Sequence, residues 1–267
     1  MIPLIRPVLP VALGLLGVAI ACGLLQWVFG PRQAGRPWLR AGWGTDLTYA
    51  VVTPLLVKSV RRAVVAVALL PLAWAAGGDG LTGLLAGHGP LARQPLWLQG
   101  AEMLVLGDFI GYWEHRLFHR PTLWPIHAVH HSSPQLDWLA AFRVHPLNDI
   151  ASGLFRAVPL VALGFAPTVL AGVLPLLTLH AIFLHADVDW SFGRFGYVVS
   201  SPAFHRWHHT AEGEGRERNF AGLLPVWDIV FGTFWMPGRR CMAVGIDDPI
   251  PLGWLAQLVW PLRRHGG

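Results

Sequence analysis

Thirteen histidines are the most unusual feature of this 267-residue chain, and eight of them lie in three short clusters. The first cluster is a pair four residues apart, and the other two are HxxHH triplets. Side chains four residues apart share one face of a helix, so this spacing lets neighbouring imidazoles reach one metal ion. The clustered residues are His115, His119, His127, His130, His131, His205, His208 and His209.

The number of imidazoles predicts two metal ions. Each triplet has i, i+3 and i+4 spacing, so one helical turn is expected to present three ring nitrogens to one side. A tetrahedral zinc takes at most four ligands, which is half of the set. Imidazole suits iron, zinc, copper and nickel, and ligands from several helix ends with positions left open favour iron that binds O2, with zinc possible in isolated protein. The alternative, polar histidines at helix ends satisfied by the backbone, does not explain three clusters in so apolar a chain.

Two further histidines are predicted as ligands from their positions at the ends of an apolar hairpin. His145 precedes that hairpin and His185 ends it, so both should return to the face that carries the clusters. His180 lies five residues before His185, about 140° around a helix, and is expected to point elsewhere. His88 and His265 are interpreted as surface residues.

Three carboxylates are candidates for orienting the ligands, because a metal-bound histidine usually donates its other N–H to a carboxylate or carbonyl. Asp108 lies two helical turns before His115. Asp137 follows the second cluster, and Asp187 follows His185 by two residues.

The composition is that of a membrane protein. Hydrophobic residues make up 54% of the chain and charged residues 13%, against about 25% charge in soluble domains. Fourteen tryptophans suit the membrane–water interface. No dense basic stripe is present, which argues against nucleic-acid binding. The two cysteines, Cys22 and Cys241, form no CxxC motif, so a metal site cannot depend on thiolates.

The apolar runs predict an all-α integral membrane protein with about four transmembrane helices in two hairpins and a cytoplasmic helical cap that holds the metal site. A signal-like Ala19-Ile20-Ala21 lies within the first run, but the run continues past it and predicts a retained span. Pro54 is expected to kink an interfacial segment, 47–57. The predicted helices cover about 8–29, 59–76 and 96–119, followed by a hairpin at about 147–186. This hairpin is predicted to be two helices broken at Gly164-Phe165-Ala166-Pro167. The predicted regions are an N-terminal transmembrane region (1–95), a catalytic region (96–240) and a C-terminal tail (241–267).

The distribution of basic residues predicts the orientation. Only Arg6 precedes the first helix, whereas six basic residues follow it before position 63: Arg32, Arg36, Arg40, Lys58, Arg61 and Arg62. The positive-inside rule then places the N-terminus outside and every histidine cluster on the cytoplasmic face. The prevalence of arginine over lysine favours a bacterial inner membrane as the location.

The order HxxxH, HxxHH, HxxHH resembles the fatty acid hydroxylase/sterol desaturase superfamily. The resemblance covers roughly residues 100–235 and includes Tyr112 to Arg116, His127 to Ser132, Arg143 to Pro146, Asn219-Phe220 and Asp228 to Thr233. It implies a helical membrane fold, a dimetal centre and O2-dependent hydroxylation or desaturation of a lipid such as a sterol, fatty acyl or isoprenoid chain. It also implies that the eight clustered histidines are ligands, and less directly His145 and His185. One departure is Asn148-Asp149, where many relatives carry an acid directly.

The predicted reaction oxidises a lipid C–H bond, with the metal supplying the chemistry and the protein the dry pocket. No GxGxxG fingerprint and no CxxCH haem motif is present, so electrons are expected from a separate donor protein. A zinc hydrolase remains an alternative, although HExxH is absent. A non-enzymatic membrane protein that binds haem or transports metal is the third possibility.

Overall fold

The computed structural model describes residues 8–31, 40–75 and 80–263, and within them the chain is helical. In these ranges the only β-type pairing is an isolated bridge between Thr210 and Val244. The α-helices in chain order are α1 (Val8–Phe29), α2 (Trp43–Val52), α3 (Lys58–Ala75), α4 (Gly80–Ala86), α5 (Gly89–Ala92), α6 (Leu96–Phe118), α7 (Trp124–His131), α8 (Pro146–Leu163), α9 (Pro167–Leu184), α10 (Pro202–His208), α11 (Val226–Val230) and α12 (Trp254–Arg263). A π-helical segment covers Thr53–Val57, and 3₁₀ segments cover Trp138–Phe142, Gly193–Tyr197 and Gly213–Gly215.

Two of the long helices are apolar enough to cross a membrane. These spans are Leu9–Phe29 and Pro167–Leu184, with mean hydropathies of 2.1 and 1.9. The other long helices, α3, α6 and α8, have 18, 23 and 18 residues and carry charged side chains within them. The helix predicted at 8–29 is α1, and the one predicted at about 59–76 corresponds to α3, described over Lys58–Ala75. Of the described helices, α1 and α9 have the composition of spans.

The predicted break in the second hairpin lies where the sequence places it. Helix α8 ends at Leu163, and Gly164 adopts φ 111°, a left-handed conformation that glycine allows. Helix α9 then begins at Pro167, whose fixed φ suits the first turn of a helix. The predicted disturbance at Pro54 takes the form of the π segment, because proline lacks the N–H that would continue an α-helical ladder.

Helices α6, α8 and α9 pack through a core at the end remote from the histidines. Met103, Leu160, Phe165 and Val173 form this core, and all four are buried. A second core, made of Tyr112, Phe204, Phe220 and Ala221, lies beneath the opposite end of α6. The second core fixes the C-terminal half of α6 against α10 and the segment that follows it.

A buried ion-pair network ties the N-terminal region to the segment between α7 and α8. Asp46 is fully buried and pairs with both Arg40 and Arg143. Asp137 also pairs with Arg40, at 2.6 Å, and accepts the N–H groups of Leu139 and Ala140 as the cap of the 3₁₀ segment. Asp137, which the sequence predicts beside a ligand, is therefore used to join segments of the fold.

Candidate metal centre

Nine of the ten predicted ligands converge in two groups of ring nitrogens. Within each group the possible ligand atoms all lie within 4.8 Å of one another. The five-histidine cluster comprises His115, His119, His127, His131 and His208. The four-histidine cluster comprises His130, His185, His205 and His209.

Each HxxHH triplet is divided between the two clusters. His127 and His131 belong to the five-histidine cluster, whereas His130 belongs to the four-histidine cluster. In the other triplet His205 and His209 stay together, and His208 joins the other group. Adjacent side chains are about 100° apart on a helix, so the i, i+4 pair shares a face and the i+3 ring diverges from it. The expectation that one turn presents all three nitrogens to one side is therefore wrong.

The separations between ring nitrogens are those of ligands around a common ion. The Nε2 atoms of His115 and His127 are 3.1 Å apart, and those of His130 and His185 are 3.3 Å apart. Two nitrogens at about 2.1 Å from one metal would be separated by roughly 3.0 Å in octahedral and 3.4 Å in tetrahedral geometry. The observed distances fall within that interval.

The other ring nitrogens determine which nitrogen faces inward. The Nδ1 atoms of His115, His130 and His185 lie 2.8–3.0 Å from the carbonyl oxygens of Phe220, Arg143 and Ala181. A carbonyl only accepts, so these rings carry their proton on Nδ1 and expose an unprotonated Nε2. The close pair formed by His130 and His185 therefore has no proton between its two Nε2 atoms. A cation between these lone pairs explains the arrangement.

Burial keeps the imidazoles in the neutral form that binds metals. Desolvation holds the pKa values of His131, His208 and His209 well below the usual histidine value, and neighbouring histidines lower them further. For the same leading cause the pKa of His130 is lowered to about 4. Near neutral pH these rings are therefore deprotonated without help from a metal.

The family model for fatty acid hydroxylase matches residues 101–233. Ornithine lipid hydroxylase OlsE of Rhizobium tropici is 32% identical over 174 residues, which cover 64% of this chain and 53% of that protein. Human alkylglycerol monooxygenase is 33% identical over 144 residues, which cover 54% of this chain and 32% of that protein. This chain belongs to the fatty acid hydroxylase/sterol desaturase superfamily.

The resemblance read from the histidine motifs is thereby confirmed. The matched domain lies inside the region 96–240 that the sequence predicts as catalytic. A very-long-chain aldehyde decarbonylase from rice, GL1-5, is also similar, with 27% identity over 158 residues, which cover 52% of this chain. The chain spans about half the length of OlsE and about a third or less of the other two relatives. No solved structure matches.

The hydroxylase domain does not bring His145 to either cluster. Its Nδ1 accepts the N–H of Leu147 and caps α8, and its Nε2 lies 3.2 Å from the carbonyl oxygen of Leu258. Both ring nitrogens are thus used, and neither lone pair is left for a metal. The prediction of His145 as a ligand is corrected accordingly. His180 also lies outside both clusters, in agreement with its predicted direction.

The hydrogen bonds given for Asp108 and Asp187 run to backbone N–H groups and arginines, whereas the prediction has them accept from ligand rings. Asp108 accepts the N–H groups of Leu223 and Leu224 at 2.8 Å, so it anchors the segment that follows Phe220. Asp187 pairs with Arg206 and Arg240 next to the four-histidine cluster. These partners differ from the predicted ones, which are the ligand rings.

The acceptors for the N–H groups of the clustered rings are mostly backbone carbonyls, which sequence patterns cannot reveal. Besides the carbonyls of Phe220, Arg143 and Ala181, the carbonyl of Arg218 lies 2.9 Å from Nδ1 of His208. Two side chains, those of Asn148 and Glu217, join them. The Oδ1 of Asn148 is 2.8 Å from Nδ1 of His127, which gives a role to the residue that departs from the superfamily pattern.

A cavity beside the five-histidine cluster connects it with the surface of the domain. Its volume is about 360 Å³, and three ligand rings contribute to its wall: those of His119, His131 and His208. Trp124 and Glu217 also line it, together with Arg216, Asp247 and Asp248. Small polar molecules can therefore reach this cluster without passing through the helical core.

Proposed function

We propose that this protein is a membrane enzyme that oxidises an unactivated C–H bond of a lipid with O2. The observation that carries the proposal is the convergence of nine buried or half-buried imidazoles in two clusters, with unprotonated nitrogens facing each other. The named activities of the relatives, lipid hydroxylation and alkylglycerol monooxygenation, supply the reaction class.

Each cluster is proposed to hold one metal ion, and iron is the proposed metal. The five-histidine cluster would bind the first ion and the four-histidine cluster the second. A set of imidazoles with no thiolate and no carboxylate ligand suits iron, and open positions on it would allow O2 to bind. When bound, the iron pair supplies the oxidising chemistry, in which a C–H bond and O2 with two electrons and two protons give an alcohol and water.

The residues of the chain serve this reaction by holding the ligands in one protonation state. Carbonyls of Phe220, Arg143 and Ala181 keep the proton of their partner ring on Nδ1, so Nε2 faces the ion. The buried surroundings exclude water and keep the rings neutral. Since no nucleotide or haem motif is present in the sequence, a separate donor protein is proposed to deliver the electrons.

The substrate is proposed to reach the site from the bilayer. Three tryptophans expose most of their surface on long helices: Trp27 (78%), Trp74 (86%) and Trp97 (74%). Trp27 lies near the end of α1 that adjoins the cap, and the other two lie at the ends of α3 and α6 remote from the clusters. Tryptophan at both ends of a helical bundle is typical of membrane interfaces, so the bundle is proposed to sit in a membrane. The prevalence of arginine over lysine is the reason for proposing a bacterial inner membrane.

The alternatives read from the sequence fit the site less well. A bis-histidine haem needs two facing imidazoles, which leaves most of the nine without a role. A zinc hydrolase would use at most four protein ligands for each ion and a general base, and among the described residues no carboxylate lies within either group of ligand atoms.

The test combines metal content with lipid analysis. The full-length chain is purified in detergent after expression with iron and analysed for metal, and the lipids of a strain lacking the gene are compared with the parent. Two iron ions per chain and the loss of an oxygenated lipid are expected. One ion or none, or an unchanged lipid profile on both deletion and overexpression, would contradict the proposal.

A further inference from the structure

The five-histidine cluster has one ligand whose outer nitrogen contacts a carboxylate. Nδ1 of His119 lies 3.0 Å from Oε1 of Glu217, and His119 is nearly buried whereas Glu217 is 64% exposed. The Nε2 of the same ring is buried and has no hydrogen-bond partner. A ring that donates Nδ1–H to a carboxylate and leaves Nε2 bare has the form of a metal ligand held from outside.

Neighbouring ligands of the cluster are held differently. The Nδ1 atoms of His115 and His208 contact backbone carbonyls, and that of His127 contacts an amide oxygen. These acceptors are neutral, whereas Glu217 brings a full negative charge. A charged acceptor forms a stronger hydrogen bond and raises the basicity of the imidazole more than a neutral one does.

Three of these contacts come from one short segment, Glu217 to Phe220. The segment contributes the carboxylate of Glu217 to His119, the carbonyl of Arg218 to His208 and the carbonyl of Phe220 to His115. It is fixed from behind by Asn219, whose amide bonds to the backbone of Phe204 and Trp235. One segment therefore positions three of the five rings.

The backbone of this segment is held in an unfavourable conformation. Glu217 has φ 56° and Asn219 has φ 58°, both in the left-handed region. Asparagine tolerates this region, but glutamate rarely adopts it. A non-glycine outlier that points its side chain at a ligand suggests that the carboxylate, and not the backbone, is what the position requires.

We infer that Glu217 is a positioning residue for His119 and makes the five-histidine ion distinct from the ion in the four-histidine cluster. The carboxylate fixes the tautomer of His119 and increases the electron donation of that ring to its ion. This inference rests on the proposed function, because it requires metal in the cluster.

The decisive variant is Glu217→Gly, because it removes the carboxylate and relieves the backbone strain together. If Glu217 positions a ligand, metal release to a chelator should become about 10- to 100-fold faster for one of the two ions, with no fall in Tm. Glu217→Gln keeps an acceptor oxygen but loses the charge, so it should release that ion at an intermediate rate. With cobalt in place of iron, only one of the two sites should change its visible spectrum.

Glu214→Gln is the matched control. Glu214 lies in the same loop, is 71% exposed and pairs with Arg239 at 3.6 Å, with no ligand contact. It should release both ions at the parent rate. Unchanged release from Glu217→Gly, or equally faster release from Glu214→Gln, would overturn the inference. A parent protein without bound metal would instead overturn the proposed function, so the two failures are distinguishable.

Discussion

At the scale of single residues, the direction in which a histidine ring points decides whether it joins a cluster. Closeness in sequence to a clustered histidine does not decide it. His185 contributes Nε2 to the four-histidine cluster, 3.2 Å from Nε2 of His205, and its Nδ1 is held by the carbonyl of Ala181. His180, five residues earlier, belongs to neither cluster although its Nε2 is buried. Of these two histidines, one in the helix and one at its C-cap, only His185 therefore joins a group of ring nitrogens that could hold a metal ion.

We expect His185→Ala to lose one of two bound ions and to abolish lipid oxidation. His180→Ala should keep both ions, because its ring is outside the cluster. His145→Ala is a second control, which should also keep both ions while losing the cap of α8, worth about 1 kcal/mol. Elemental analysis and turnover would be measured on the same preparations. Metal loss from His180→Ala with full metal in His185→Ala would contradict the assignment.

Asn148 shows how an apparent departure from a motif is compensated. Its Oδ1 accepts from His127, and its Nδ2 lies 3.3 Å from Oγ of Ser152, which in turn donates to Glu114. Glu114 is buried and paired with Arg156 at 2.8 Å. The negative charge that an acid at position 148 would supply is thus placed two hydrogen bonds further from the ligand.

Asn148→Leu should therefore weaken metal binding, since it leaves the Nδ1–H of His127 buried without an acceptor. A lost buried partner costs about 1–3 kcal/mol, which corresponds to roughly 5- to 150-fold in affinity for one ion. Asn148→Asp keeps the acceptor and should retain both ions. Chelator competition on the two variants would measure this. Equal retention in both would mean that His127 is oriented by its helix alone.

At the scale of elements, the turn between α8 and α9 sets how the second hairpin packs. Gly164 has φ 111°, and a Cβ at this position would lie 2.2 Å from the carbonyl oxygen of His88. That carbonyl belongs to the loop before α5, so two connections meet at the end of the bundle remote from the metal centre. The turn therefore affects stability without touching a ligand.

Gly164→Ala should destabilise the protein by at least about 1–3 kcal/mol through the strained φ and the clash, while leaving metal content unchanged. Gly172→Ala in α9 is the matched control, because a Cβ there meets no atom within 4 Å. The control should leave stability the same or raise it by a few tenths to about 1 kcal/mol. Thermal unfolding in one detergent would compare them, and an unaltered Tm for Gly164→Ala would refute the strain argument.

At the scale of the whole molecule, the sequence predicts the parts of the fold and of the site that leave a pattern of residue types. It misses the parts that leave no such pattern. Histidine spacing, a long apolar run and a Gly–Pro break are each visible in the residue types, so the sequence predicts the eight clustered histidines, the helix at 8–29 and the break at Gly164. The carbonyls of Phe220 and Arg143 carry no residue signature, and Glu217 reaches His119 only through a left-handed backbone. His145 is misassigned because a helix cap and a ligand can occupy the same kind of position, next to the end of an apolar helix.

The orientation in the membrane is a property of the whole charge distribution. Arg6, Arg32, Arg36 and His265, which enter the sequence interpretation, lie outside the described residues. Among those described, many basic residues lie at the end that holds the metal centre, including Lys58, Arg61, Arg62, Arg116, Arg120, Arg216 and Arg218. Arg93 is the basic residue described in the connections between α3 and α6 at the opposite end. The asymmetry favours a cytoplasmic metal centre.

Single cysteines introduced at the two ends would test this orientation. Cys22 and Cys241 are buried, so their reaction with a membrane-impermeant maleimide should be slow. Arg93→Cys and Glu214→Cys both replace exposed side chains, the first remote from the metal centre and the second beside it. In intact cells whose inner membrane is sealed, Arg93→Cys should react from the outside, because its loop follows a helix that leaves the cytoplasm. Glu214→Cys should react only after the membrane is opened. Labelling of Glu214→Cys alone in sealed cells would place the candidate metal centre outside the cytoplasm, where a cytoplasmic electron donor could not reach it.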